Sequence, residues 1–183
     1  MVGLSKIKGE KKMSRYLDCG KDVYKVLEKI QEKHFSDLRS AKIKCIFDTK
    51  KRKSGGKVVL ASIRKASPLI KHFTADEAPE DGFDYILTID EKVWKHTDEK
   101  DKERLIRHEL RHTFIDDEAK DPYKLVPHDY EDFKAELELN KEDPLWSERI
   151  ACLVSDIYDQ EKEDASDKKK SRGKALKRVH RKR

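Results

Sequence analysis

Cysteine is scarce in this chain. Cys19, Cys45 and Cys152 are its only three, and no two are spaced as CxxC. That excludes a cysteine-based zinc ribbon and reads as reduced thiols rather than a disulfide frame. No run of about 18 apolar residues occurs, so no membrane span is expected. The opening MVGLSKIKGEKK holds no apolar stretch of signal-peptide length, which argues against secretion by that route. The expected compartment is therefore cytoplasmic. No internal repeat is visible.

Charge is abundant instead: 44% of the 183 residues are charged and 36% hydrophobic. The net charge of +6 conceals three blocks. Residues 1–71 hold 20 Lys+Arg against 7 Asp+Glu, a net +13. Residues 72–167 hold 13 against 30, a net −17, and residues 168–183 hold 10 basic residues and no acid. Such blocks are mostly solvated surface, but a tail this dense also suits a polyanionic partner. The length allows one folded unit with a core, expected over 16–160. Basic flexible segments are expected at 1–15 and 161–183.

Periodicity places the elements. In GKDVYKVLEKIQEKHFS (20–36), Val23, Val26, Leu27, Ile30 and Phe35 fall near helical spacing. AKIKCIF (41–47) and KVVLASIRKA (57–66) read as strands, joined by the basic turn KKRKSGG whose glycines permit positive φ. A third strand is centred on Tyr85–Ile89. Thr97 or Asp98 can cap a helix over about 99–117. Further helices are expected over Tyr130–Leu139 and Leu145–Tyr158, with a helical stretch near Ala175–Val179. Helix, strands, then helices predicts an α+β fold.

The chemistry concentrates in RLIRHELRHTFID (104–116). His108 and His112 lie four apart, so on a helix both imidazoles face one ion. Glu109 follows the first of them, beside the ion, where a carboxylate can take a proton from a zinc-bound water and pass it to a leaving amine. HExxH at this spacing is a metallopeptidase pattern. The alternative is an ordinary amphipathic helix, since Leu105, Ile106, Leu110 and Phe114 also recur at helical spacing.

Catalytic zinc takes three protein ligands. His128 is favoured as the third because it is the only histidine near this position. Glu131 is the rival, and Glu136 a weaker one. Asp116 either accepts a hydrogen bond from His112 and orients that imidazole or is a solvated acid at the helix end. Tyr130 or Tyr123 could stabilise an oxyanion. His72 and His96 flank the third strand and read as surface residues rather than ligands.

RHELRHTFID together with VPHDYEDF resembles the phage metallopeptidase family, which is related to SprT-like zinc peptidases. The resemblance maps a metal-site pattern onto His108, Glu109, His112, His128 and Phe133, and spans roughly residues 20–160. It implies a small zincin-like domain: a short mixed sheet packed on the active-site helix, one catalytic Zn²⁺, an origin in phage or prophage, and a protein or peptide substrate in the bacterial host cell. Longer SprT-like proteins often end in a DNA-binding cysteine ribbon, which this chain lacks. The early Gly and third His of metzincins are missing as well.

Basic residues offer nucleic-acid contacts that need no particular base sequence. The candidates are Lys51, Arg52 and Lys53 on the turn, and Lys168, Lys169, Lys170, Arg172, Lys177 and Arg178 in the tail. Three readings follow: a zinc endopeptidase, a peptidase acting on DNA-bound protein, and a non-catalytic module that keeps zinc for structure.

Overall fold

A computed structural model describes residues 14–78, 81–128 and 133–180, with side chains as far as Lys168. The fold is α+β, as expected. Its main sheet combines β1 (Tyr16–Asp18), β2 (Ile43–Asp48), β5 (Ala61–Lys65) and β6 (Tyr85–Asp90) in the order β1-β2-β6-β5. Strands β2 and β6 run parallel, while β1 and β5 are antiparallel to their neighbours. That leaves β5 as an edge.

Strand alternation decides which face is core. Tyr85, Leu87 and Ile89 of β6 are wholly buried, while Ile86 and Thr88 between them are half-buried. Ile43 and Cys45 of β2 and Ala61 and Ile63 of β5 are buried in the same alternation. Helix α1 (Lys21–His34) buries Val23, Val26, Leu27 and Ile30, the predicted stripe. Each such side chain contributes roughly 1.5–3 kcal/mol.

Between β2 and β5 lies the small hairpin of β3 (Lys53–Ser54) and β4 (Lys57–Val58). Gly55 and Gly56 make its turn with φ of 55° and 83°, the region expected of them. The single strand expected over 57–66 is thus two, β4 and β5. Helix α2 (Pro68–Phe73) begins at a Ser67 cap with Pro68 in its first turn. Helix α3 (Glu91–His96) follows β6 directly, because the Asp90 carboxylate accepts from Lys92 and Val93 N–H and caps it.

Helix α4 (Glu99–Arg111) starts at the Asp98 cap, which accepts from Asp101 N–H. Leu105, Ile106 and Leu110 bury its inner face. It stops at Arg111 rather than near 117. Thr113, Phe114 and Ile115 favour a strand, and as β7 (Thr113–Ile115) they pair with β8 (Tyr123–Leu125).

Helix α5 (Lys134–Leu139) is short, and α6 (Trp146–His180) is long. On α6, Trp146, Ile150, Val154 and Tyr158 form a buried stripe at steps of four. Past Tyr158 every described side chain is exposed, yet the backbone stays helical to His180. The flexible segment expected from 161 is therefore helical to that point. Residues 159–180 contain no proline, and charged pairs such as Asp159–Lys162 lie along the helix. The segment expected to be flexible at 1–15 lies outside the described residues, except Ser14 and Arg15. Among the described residues, no helix is long and apolar enough to cross a membrane.

Candidate metal centre and active site

His108 sits in the last turn of α4 and His112 caps that helix. His128 lies beyond β8, on the stretch leading toward α5. The three offer ligand nitrogens that all lie within 4.8 Å of one another, and no other group of three potential ligands occurs among the described residues. His108 Nε2 and His128 Nε2 are 3.1 Å apart. The ring centroids of His112 and His128 are 4.5 Å apart, and those of His108 and His112 5.5 Å. Three imidazoles thus converge on one point and can hold a metal ion.

The surroundings fix those rings. His112 Nδ1 lies 2.9 Å from the carbonyl of Val126. A carbonyl only accepts, so Nδ1 carries the proton and Nε2 keeps its lone pair for a ligand. Phe133 covers the group, with centroids 5.6, 4.7 and 4.9 Å from His108, His112 and His128. Trp146 of α6 stands 6.5 Å from His108.

Glu109 is buried, and its Oε2 accepts the backbone N–H of Ile63 at 2.9 Å. Burial pushes its carboxyl above the ordinary value; His108, His112, the Ile63 N–H and Arg52 oppose that rise. A carboxyl held this way suits proton transfer better than a solvated one. Its Ile63 partner sits on the free side of β5, and Ala61 and Lys65 share that direction by the period of the strand. A cleft of about 1050 Å³ runs along this edge and includes His108, Glu109, His112 and His128.

Several candidates lie elsewhere. The Asp116 carboxylate accepts from Glu118 N–H in a turn, so Val126 and not Asp116 orients His112. Glu136 is fully buried and receives Arg107 Nε at 2.9 Å and Arg111 Nε at 3.2 Å, so it clamps α5 to α4 rather than joining the ligands. Tyr123 packs edge-on against Tyr85, with its hydroxyl turned to Asp84, and does not line the cleft. His72 stacks near Phe73 on α2, and His96 ends α3; neither joins the histidine group. Tyr130 and Glu131 lie outside the described residues.

The basic turn is partly committed inward. Lys51 Nζ donates to Ser155 Oγ at 2.9 Å, and Arg52 Nη1 donates to Ser62 Oγ at 3.0 Å while its Nε faces Asp48. Lys53 and Lys168 are exposed. Lys169, Lys170, Arg172, Lys177 and Arg178 lie on α6 beyond its described side chains.

The Glu136 clamp was missed from sequence, although a signal for it exists. Arg107 and Arg111 lie four apart, each one residue before a candidate ligand histidine, and such a pair of cations on a packed helix suits an acid from a neighbouring helix. Ile63 and the Val126 carbonyl act through their backbones, and side-chain identity does not reveal such roles.

A family model described as "Putative phage metallopeptidase" matches residues 15–158. No curated protein and no solved structure is significantly similar to the chain.

Proposed function

Because the chain belongs to that metallopeptidase family, we propose that it is a zinc-dependent endopeptidase of phage or prophage type, working in the cytoplasm of the bacterial host. The observation that carries this reading is the convergence of His108, His112 and His128 beside buried Glu109.

The residues fit zinc. Neutral imidazole nitrogens are its usual ligands, and Zn–N bonds of about 2.0–2.1 Å place tetrahedral ligand atoms about 3.3 Å apart. The 3.1 Å between His108 Nε2 and His128 Nε2 is close to that spacing. Three protein ligands leave a position open. When bound there, the ion would polarise a carbonyl and make water a nucleophile at neutral pH.

The protein's own groups supply the rest. The outward backbone of β5 at Ala61 and Lys65, on either side of the Ile63 N–H that Glu109 occupies, can pair with an extended peptide, as sheet edges do. Glu109 receives the proton of the attacking water on its carboxylate and delivers it to the departing amine nitrogen. The Ile63 N–H steadies the carboxylate between those transfers. Phe133 and Trp146 limit water around the imidazoles.

Hydrolysis of an unfolded protein substrate by the zinc-loaded chain tests this reading, with Glu109→Gln as the comparison. Cleavage should fall by about 10²–10⁴-fold in the variant while zinc content is kept. Equal cleavage by both forms would defeat the proposal.

A second reading has its own observation. Helix α6 carries residues 159–180 beyond its buried stripe, and residues 168–183 hold ten basic residues without an acid. That arrangement suits phosphate contacts, and it would bring the peptidase to proteins bound on nucleic acid.

A further inference from the structure

We infer that the metal-site cleft is built for a peptide segment with large apolar side chains next to the bond to be cleaved. The inference rests on the peptidase reading and names the substrate class of that site.

The chain is 44% charged, yet among the described residues that line this cleft Lys57, Glu109 and Glu148 are the only Asp, Glu, Lys or Arg. Glu109 is committed to Ile63. Lys57 and Glu148 face each other at 3.3 Å, from the hairpin and from the start of α6, so each answers the other's charge. A charged substrate side chain entering among the apolar walls would lose water there without gaining a charged partner from them.

The walls present Leu105, Leu125, Val126, Leu137, Leu145 and Trp146. Leu105 and Trp146 are buried, but Leu125, Val126, Leu137 and Leu145 are 45%, 37%, 43% and 62% exposed. Apolar groups left open on several sides of one depression mark a binding surface. This one is continuous with the candidate catalytic residues. At about 1050 Å³ it exceeds what one side chain fills. The occupant it fits is an extended segment whose leucine- or phenylalanine-sized groups meet these walls while its backbone follows β5.

The selectivity arises where the walls are most exposed. Leu137 and Leu145 belong to different segments, α5 and the approach to α6, and neither is a metal-site residue. Substituting them changes the cleft with little effect on the core.

The test uses the zinc-loaded full chain carrying Glu109→Gln, which binds without cleaving. Fluorescent peptides differing only at one central residue (Leu, Phe, Asp or Lys) are titrated by anisotropy. Leu and Phe peptides should bind at least about tenfold more tightly than Asp and Lys peptides. Adding Leu137→Asp or Leu145→Asp should erase that preference with zinc content unchanged. Equal affinities, a preference for charge, no binding, or a preference that survives both substitutions would overturn the inference. So would a dimer of the chain that occupies the cleft and is not displaced by peptide. Selective binding without hydrolysis by the unsubstituted chain would sink the peptidase reading alone. Hydrolysis without apolar preference would sink this inference alone.

Discussion

His112 and Val126 hold each other twice. The Val126 N–H donates to the His112 carbonyl at 2.8 Å, and His112 Nδ1 donates to the Val126 carbonyl at 2.9 Å. The first bond fixes the backbone at the end of α4, and the second fixes the imidazole. Val126→Pro removes the donor of the first bond and also restricts the backbone at 126 and at Leu125, whereas Val126→Ala keeps both bonds. Competition titration with a zinc chelator should show affinity falling about 10–100-fold in Val126→Pro and staying near the unsubstituted value in Val126→Ala. Equal affinities would show that this pairing does not orient the ligand.

Glu136 is the second support. Its buried carboxylate answers Arg107 and Arg111, each one residue before a candidate ligand histidine. Replacing it with Leu leaves those guanidinium groups without their acid. Urea denaturation should show a loss of about 3–5 kcal/mol. Glu136→Gln keeps the shape and loses the charge, so it should destabilise less than Glu136→Leu. A neutral result for Glu136→Leu would mean that the arginines find water instead.

A charged knot joins α4 to the start of α6. Arg104 donates to Asp101, Glu142 and Asp143, and Arg149 donates to Asp101 and Asp143. Lys100, then a backbone N–H, then Arg104 hold the Glu142 carboxyl down to about 2, from an ordinary 4.5. Arg149 lowers Asp143 in the same direction, with Arg104 adding to it. A depressed carboxyl contributes stability above its unfolded value and loses it as pH falls through its folded value. Glu142→Gln should therefore melt below the unsubstituted chain at neutral pH, and the gap should close between about pH 4.5 and 2. A gap that does not change with pH would remove the electrostatic explanation.

The basic end of the chain gives a salt prediction. If residues 168–183 contact phosphate, affinity for duplex DNA should fall steeply as salt rises, and deleting them should flatten that slope. Lys51→Ala should change the slope little, since its ammonium is occupied by Ser155 and Asp159. Binding that ignores both salt and the deletion would discard the second reading.

The sequence was informative where periodicity and side-chain chemistry carry the signal. The stripe from Val23 to Ile30, the strand at Tyr85–Ile89 and the start of α4 at Asp98 all stand as read. His108, His112 and His128 were named from ligand type and spacing, and the fold brings them together. What escaped depends on long-range pairing. Phe114 fits a helical stripe as well as a strand, and pairing of β7 with β8 decides between them. The length of α6 escaped because its second half has no apolar stripe to announce it. Sequence leaves Asp116 open between orienting His112 and standing as an acid at the helix end, and the choice falls to the second because the stretch after β8 supplies the Val126 carbonyl to His112.

The most direct test of the central claim is zinc per chain, by mass spectrometry of the purified protein and of His112→Ala, His128→Ala and Glu131→Ala. The account predicts close to one zinc per chain, lost in both histidine variants and kept in Glu131→Ala. No zinc after reconstitution, or zinc that survives His128→Ala and disappears with Glu131→Ala, would contradict it.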